Sequence, residues 1–409
     1  MPLERPSLPL PSLRSVIADS GTLYAVNGLV GFIFAASGPV AIILAVGTQG
    51  GLSESDLASW IFGSFFINGL ISIAFCVAYR QPLVFFWTIP GAVLVGPALG
   101  HLAFAEVIGA YLATGALMLV LGLSGWVRRA MDAVPMPIVM GMVAGVFLRF
   151  GLNLVYAVRD DFRIAAPMIA AFIALSAAPR VARMLPPLIG ALAVGAVAVA
   201  LTGKFNPAAG PIFAWAHPNL YTPVFSPRAM IELVVPLAIT VLVVQNGQGI
   251  AVLKSAGHTP PVNAIAAVCG AGSMLAALVG TVSTCLTGPV NAIISASGDK
   301  RRHYTAGLAV GVLALAFGAL SPLFTRLLLA TPGSFIAALA GLAMLRVLQT
   351  AFSVAFRERF ALGALVTFLV TVADVTILNV GAPFWGLLLG FAASWLLERG
   401  DFRSLRAGG

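Results

Sequence analysis

Apolar runs of about twenty residues, parted by short clusters of charge, proline and glycine, follow one another along the whole chain. Wound as helix, a run of that length matches the roughly 30 Å hydrocarbon core of a bilayer. Read between their punctuation, the runs predict fourteen segments: 22–46, 57–79, 84–100, 104–124, 135–155, 163–178, 186–202, 229–252, 262–280, 284–298, 304–324, 332–352, 360–380 and 384–398. The third and tenth are short for a full crossing. The first apolar run is too long for a signal-peptide core and has no small-residue cleavage site after it, so it reads as a retained span behind a Pro-rich tail. The expected fold class is an all-α polytopic membrane protein.

Composition strengthens this picture. Hydrophobic residues make up 60% of the 409 and charged residues 9%, against about 25% charged in soluble domains. The net charge of +9 does not call for nucleic acid, because the basic residues sit in short loops, as membrane orientation requires. With both termini inside, cytoplasmic segments collect Arg5, Arg14, Arg80, Arg128, Arg129, Arg180, Arg183, Lys254, Lys300, Arg301, Arg302, Arg357, Arg359, Arg399, Arg403 and Arg406. Outside loops hold only Arg159, Arg163, Lys204, Arg228 and Arg326. The expected orientation has both termini on the cytoplasmic side of the membrane. Cys76, Cys269 and Cys285 lie in apolar context without metal-type spacing and read as packing residues. The four histidines are scattered, so neither metal nor cofactor is expected, and no constellation suggests an enzyme.

The two halves match at a near-constant offset. Pro39, Ala41, Ile42 and Val46 recur 197 positions on as Pro236, Ala238, Ile239 and Val243; Gly91 and Val93 recur as Gly288 and Val290; Leu148-Arg149 recurs as Leu345-Arg346. One residue closer, Pro187, Gly190 and Leu192 meet Pro383, Gly386 and Leu388. The repeat unit holds seven spans, and an odd number forces the second copy to enter from the opposite side. The prediction is therefore two inverted seven-span repeats, an architecture of secondary transporters.

Segments three and ten are equivalent under this repeat. Each opens on a β-branched or aromatic run, Val84–Thr88 and Thr281–Cys285, then meets Pro90-Gly91 or Gly288-Pro289 and continues as a short small-residue helix. Proline suits the first turn of a helix. Each segment thus reads as a strand followed by a half-helix, or, in the plainer alternative, as a Pro-kinked helix. A break at membrane depth requires protein or a wet cavity around it. Facing half-helix N-termini favour an anion. Ser37-Gly38-Pro39 interrupts the first segment, and Gln245, Asn246 and Gln248 stand inside the apolar eighth, facing either a cavity or a partner helix. The candidate substrate-binding residues are Ser37, Gly38, Trp87, Thr88, Pro90, Gly91, Gln245, Asn246, Thr287, Gly288 and Asn291.

"SGPVAIIL", "WTIPGAVLVGPAL", "VQNGQGIAVL" and "GTVSTCLTGPVNAI" together resemble the benzoate transporter family of bacterial inner-membrane proton symporters, across nearly the whole chain. That family is similar in fold to nucleobase permeases and sulfate/bicarbonate anion exchangers. The resemblance implies a core domain (22–124 and 229–324) and a gate domain (125–202 and 325–398). Flanking them are tails at 1–21 and 399–409 and an external loop at 203–228. It further implies import of benzoate or a similar aromatic carboxylate with protons, the substrate lying at the two breaks. Nucleobase permeases carry acidic residues where this chain has Gln245 and Pro289. Their absence agrees with an acidic cargo and removes the obvious proton carrier. The alternatives within this fold are a nucleobase/proton symporter and an inorganic-anion exchanger.

Two carboxylates in the predicted spans are candidate proton carriers, Asp374 and Glu106. Asp374 has the alternative of pairing with Arg149 or Arg346, and Glu106 that of a solvated place at a span end. Arg149 and Arg346 either attract a carboxylate on its path or pin the gate helices. "GMVAG" at 141–145 allows close helix contact, within the chain or across a homodimer.

Overall fold

In lipid a helix is apolar all round, so its ends, more than its stripes, decide its bounds. A computed structural model describes residues 3–127, 129, 135–182, 185–207, 213–296, 298–375, 377–378 and 380–402. Of the basic residues used for orientation, Arg128, Arg183, Arg403 and Arg406 lie outside the described residues.

The chain opens with a short helix α1 (Leu13–Asp19). α2 (Thr22–Gln49) follows, in two pieces that meet at Ser37. α3 (Glu54–Tyr79) starts at a Ser53/Asp56 capping box, three residues before the apolar run predicts. Strand β1 (Phe85–Trp87) leads into α4 (Ile89–Ala98), and α5 (Phe104–Ser124) closes this group. Next come α6 (Met136–Asp160), α7 (Phe162–Ser176) and α8 (Pro187–Leu201). The second half runs α9 (Pro227–Ser255), α10 (Val262–Ala277), strand β2 (Thr284–Leu286) and α11 (Gly288–Ile294). It ends with α12 (Lys300–Ala319), α13 (Ser321–Leu329), α14 (Gly333–Ala355), α15 (Ala361–Ala373) and α16 (Ala382–Leu397). Among the described residues six helices are long and apolar enough to cross a membrane, seven if the bent pair α12 and α13 counts as one span, and six further apolar helices are shorter.

Two expectations change here. The eleventh segment does not run straight to residue 324: the chain bends by 70° between α12 and α13, where Pro322 opens a new helix. The thirteenth stops at Ala373, because Asp374 takes a left-handed conformation (φ 51°). Asp374 is thus a helix-end residue and not a mid-span one.

α5 packs most extensively on α10, and α12 on α2 and α3; separately, α6 packs on α14 and α15, α15 on α16, and α7 on α8. Glycines permit the closest approaches. A Cβ on Gly141 would lie 2.4 Å from the Ala364 carbonyl oxygen, and one on Gly145 2.8 Å from Thr371. The "GMVAG" motif is therefore spent inside the chain, against α15. The loop before α9 is fastened to α3: Asn219 donates to Asp56 at 3.2 Å, and the Tyr221 hydroxyl donates to the same carboxylate. Burial, then that hydrogen bond, push the Tyr221 phenol above its ordinary value.

Candidate functional site

A three-residue strand has too few hydrogen bonds to survive alone in an apolar interior. β1 and β2 solve this by pairing with each other, antiparallel, with Phe85 opposite Leu286, Phe86 opposite Cys285 and Trp87 opposite Thr284. Side chains from neighbouring helices satisfy what the ladder leaves over. Ser72 accepts from the Phe85 N–H at 2.8 Å, and Ser273 accepts from the Thr284 N–H at 2.9 Å. The Asn246 carbonyl accepts from the Leu286 N–H at 2.8 Å. Asn291 clamps Val84 from both sides, accepting from its N–H at 3.0 Å and donating to its carbonyl at 3.1 Å. An unpaired buried backbone group costs about 1–3 kcal/mol, so these amides and hydroxyls hold the break open at depth.

Each strand delivers the chain to a half-helix, and the two N-termini border one cavity of about 940 Å³. The first half of the chain supplies a mostly apolar wall that includes five aromatic rings: Phe34, Phe86, Trp87, Phe147 and Phe172. The Trp87 indole N–H finds no acceptor among the described residues. The second half supplies most of the polar lining: Gln245, Gln248, Thr287, Arg346 and Thr350. Arg346 is the one charged side chain in the described lining. It is exposed, with Nη1 donating to Gln349 at 3.3 Å. No hydrogen bond ties down the amides of Gln245 and Gln248 among the described residues.

The half-helix N-termini differ. The Thr88 hydroxyl accepts from the Gly91 N–H at 3.1 Å and donates to Thr240 at 3.2 Å, which caps α4 from within. No side chain caps α11, and Thr287 turns to the cavity.

The eleven predicted binding residues therefore separate. Trp87, Pro90, Gln245 and Thr287 line the cavity. Thr88, Asn246 and Asn291 lie behind it, building the break. Ser37 donates to the Phe34 carbonyl at 3.1 Å. A Cβ on Gly38 would strike Ala343 at 2.4 Å, and one on Gly91 would strike Thr88 at 2.3 Å. Gly288 abuts Gln248: a Cβ there would lie 2.6 Å from its Cγ. Of the two candidate proton carriers, Glu106 accepts from the Ala103 N–H at 2.9 Å at the start of α5. Asp374 pairs with Arg149 at 2.5 Å, partly open to water. Neither lines the cavity. The sequence pattern does not single out the aromatic lining or Arg346, because aromatics are common in spans and Arg346 has a repeat mate, Arg149, with a different fate. Glu232 also escapes it, lying near the start of its segment, yet it is the most buried acid among the described residues.

The family model of the benzoate membrane transport protein matches residues 19–396, so the chain belongs to that family. Among curated proteins, the inner membrane protein YdcO of Escherichia coli (strain K12) is 29% identical over 368 residues, covering 89% of this chain and 93% of that one. The benzoate membrane transport protein of Acinetobacter baylyi is 26% identical over 394 residues, covering 94% and 98%. Among solved structures, the transmembrane domain of the cyanobacterial bicarbonate transporter BicA superposes with a TM-score of 0.60 at 15% identity, covering 89% and 97%. The murine solute carrier 26 family member A9 anion transporter, in its inward-facing state, gives 0.63 at 13%, covering 95% and 70%. These last two likenesses are of fold. The chain is a multi-pass membrane transporter.

Proposed function

We propose that this member of the benzoate membrane transport family imports benzoate or a similar aromatic carboxylate by proton symport, by alternating access of the cavity between the two half-helices. The observation that carries this reading is the two-sided lining. A benzoate-like molecule has an apolar ring at one end and a carboxylate at the other. The ring suits Phe34, Phe86, Trp87, Phe147 and Phe172; the carboxylate suits Arg346, with Gln245, Gln248 and Thr287 as hydrogen-bond donors. Such a site follows the general pattern of an apolar pocket oriented by few polar groups. Arg346 is always charged and presents a planar fork of donors that matches a carboxylate.

In this reading the chain makes fourteen crossings as two inverted halves, both termini are cytoplasmic, and the membrane is the bacterial inner membrane. α2–α5 with α9–α12 form the core; α6–α8 with α14–α16 form the gate. The packing groups above support that division. In this orientation the lining residues Ser176, Ala182 and Val354 lie near inner segment ends, which supports a cavity open toward the cytoplasm. The five aromatic rings of the lining favour an aromatic acid over bicarbonate, and the lack of an acid among the described lining residues agrees with an anion rather than a nucleobase.

Proteoliposomes given labelled benzoate test the proposal. Uptake should rise with an inward proton gradient and should not be competed by uracil or bicarbonate. Accumulation of either competitor in place of benzoate would refute it.

A further inference from the structure

Glu232 is 3% exposed and sits near the start of α9, in a stretch of π-helical turns from Met230 to Val234. Its Oε2 lies 2.9 Å from Nε2 of His101, in the loop after α4. Its other oxygen faces Gly381, the residue before α16: a Cβ at Gly381 would lie 2.4 Å from Oε1. Three pieces thus converge on one carboxylate: the half-helix of the first break, the helix that carries Gln245, and the loop that opens α16. The contact lies at the end of the molecule away from the cavity's inner lining, since Val354 and Gly381 flank opposite ends of α15. Along α9 it is about 20 Å from Gln245 at 1.5 Å per residue.

The charged groups around it are few. Glu106 stands in the first turn of α5, in the field of Arg228 and of His101 itself. Arg228 is one turn before Glu232. Asp374, paired with Arg149, begins the segment that leads to Gly381. The first turns of α16 carry no ionisable side chain. The one buried acid among the described residues other than Glu232, Asp161, is neutralised by Lys204 at 2.6 Å. Among the described residues Glu232 has only a histidine to serve it.

In neutral water an exposed glutamate is ionised and an exposed histidine mostly uncharged. Only the carboxylate is out of water, since Glu232 is 3% exposed and His101 is exposed; beside an uncharged imidazole its buried charge would stand uncompensated, at a net cost. One added proton removes the cost, whether it rests on the carboxylate or on the imidazole. We propose that the His101–Glu232 pair is the proton-loading site of the transporter. It takes one proton from the side opposite the cavity, and the loaded pair is the form that packs against Gly381. This rests on the proton-symport reading above and adds the residues and a stoichiometry of one proton per pair.

The test uses the full chain in proteoliposomes, comparing benzoate accumulation under a proton gradient with benzoate counterflow at equal pH. Glu232→Gln carries a neutral side chain of the same shape. It should retain counterflow within about threefold and lose gradient-driven accumulation, and its counterflow should no longer fall as external pH rises. His101→Gln, at the more exposed partner, should shift in the same direction by less. Wild-type accumulation in either variant overturns the assignment. So does loss of counterflow and accumulation together in Glu232→Gln that still binds benzoate in a thermal-shift assay, for then the pair is only a latch. If the wild-type protein shows counterflow but no response to the gradient, the symport reading itself falls, and this inference with it.

Discussion

The two half-helices occupy equivalent places in the chain yet are finished differently. At the first, Thr88 caps α4, and Gly91 is sealed among Thr88, Leu237 and Thr240. At the second, α11 has no side-chain cap among the described residues, Thr287 faces the cavity, and the atoms nearest a Cβ at Gly288 belong to the flexible side chain of Gln248. The same contrast extends over the cavity: aromatic rings from the first half, amides, hydroxyls and a guanidinium from the second. The difference teaches that two segments of matching sequence pattern can be finished differently by their side chains, one sealed from within and one opening on the cavity.

The contrast can be broken by the same substitution in both copies. Gly288→Leu should displace Gln248 and abolish transport while folded protein is still recovered by size-exclusion chromatography. Gly91→Leu should overpack buried side chains and depress the yield of folded protein. Equal folding and equal transport in the two variants would erase the distinction.

The repeat-related arginines sharpen it further. Arg346→Gln should weaken benzoate binding at least tenfold, the effect of losing a charge-assisted hydrogen bond of about 1.5 kcal/mol. Arg149→Gln, which removes only the pair with Asp374, should leave affinity within about twofold. Isothermal titration of the purified variants decides. On the aromatic side, Phe34→Leu and Phe172→Leu keep the wall apolar but remove the rings. Each should cost benzoate about threefold to tenfold, on the order of 0.5–1.5 kcal/mol, and leave small aliphatic carboxylates unaffected in competition binding.

The smallest effect separates the caps. Thr88→Val should lower stability by about 1 kcal/mol, seen as a lower unfolding temperature. Thr287→Val should leave that temperature unchanged.

The breaks were legible because Pro90-Gly91 and Gly288-Pro289 follow β-branched or aromatic runs, a pattern with a local physical meaning. The polarity of Asn246 and Asn291 was equally visible, but its use was not. Whether an amide in a span meets a ligand or a strand depends on a neighbour distant in sequence: Leu286 for Asn246, Val84 for Asn291. Asp374 reads as a mid-span acid because Val375 and Ile377 extend the apolar run, whereas a left-handed turn ends the helix one residue before it. Arg346 could not be told from Arg149, since both end the same Leu-Arg pair.

By itself the sequence determined that the chain lives in a membrane, where most of its apolar runs lie, and that two of them are interrupted. Those properties follow from hydropathy, charge placement and the conformational limits of proline and glycine, all of them local. Only the tertiary structure decided that the interruptions pair as strands, that the aromatic rings of the cavity lining come from the first half and most of its polar groups from the second, and that Glu232 is buried against His101. Those are contacts between residues far apart in the chain, and packing in three dimensions, not propensity along one, selects them.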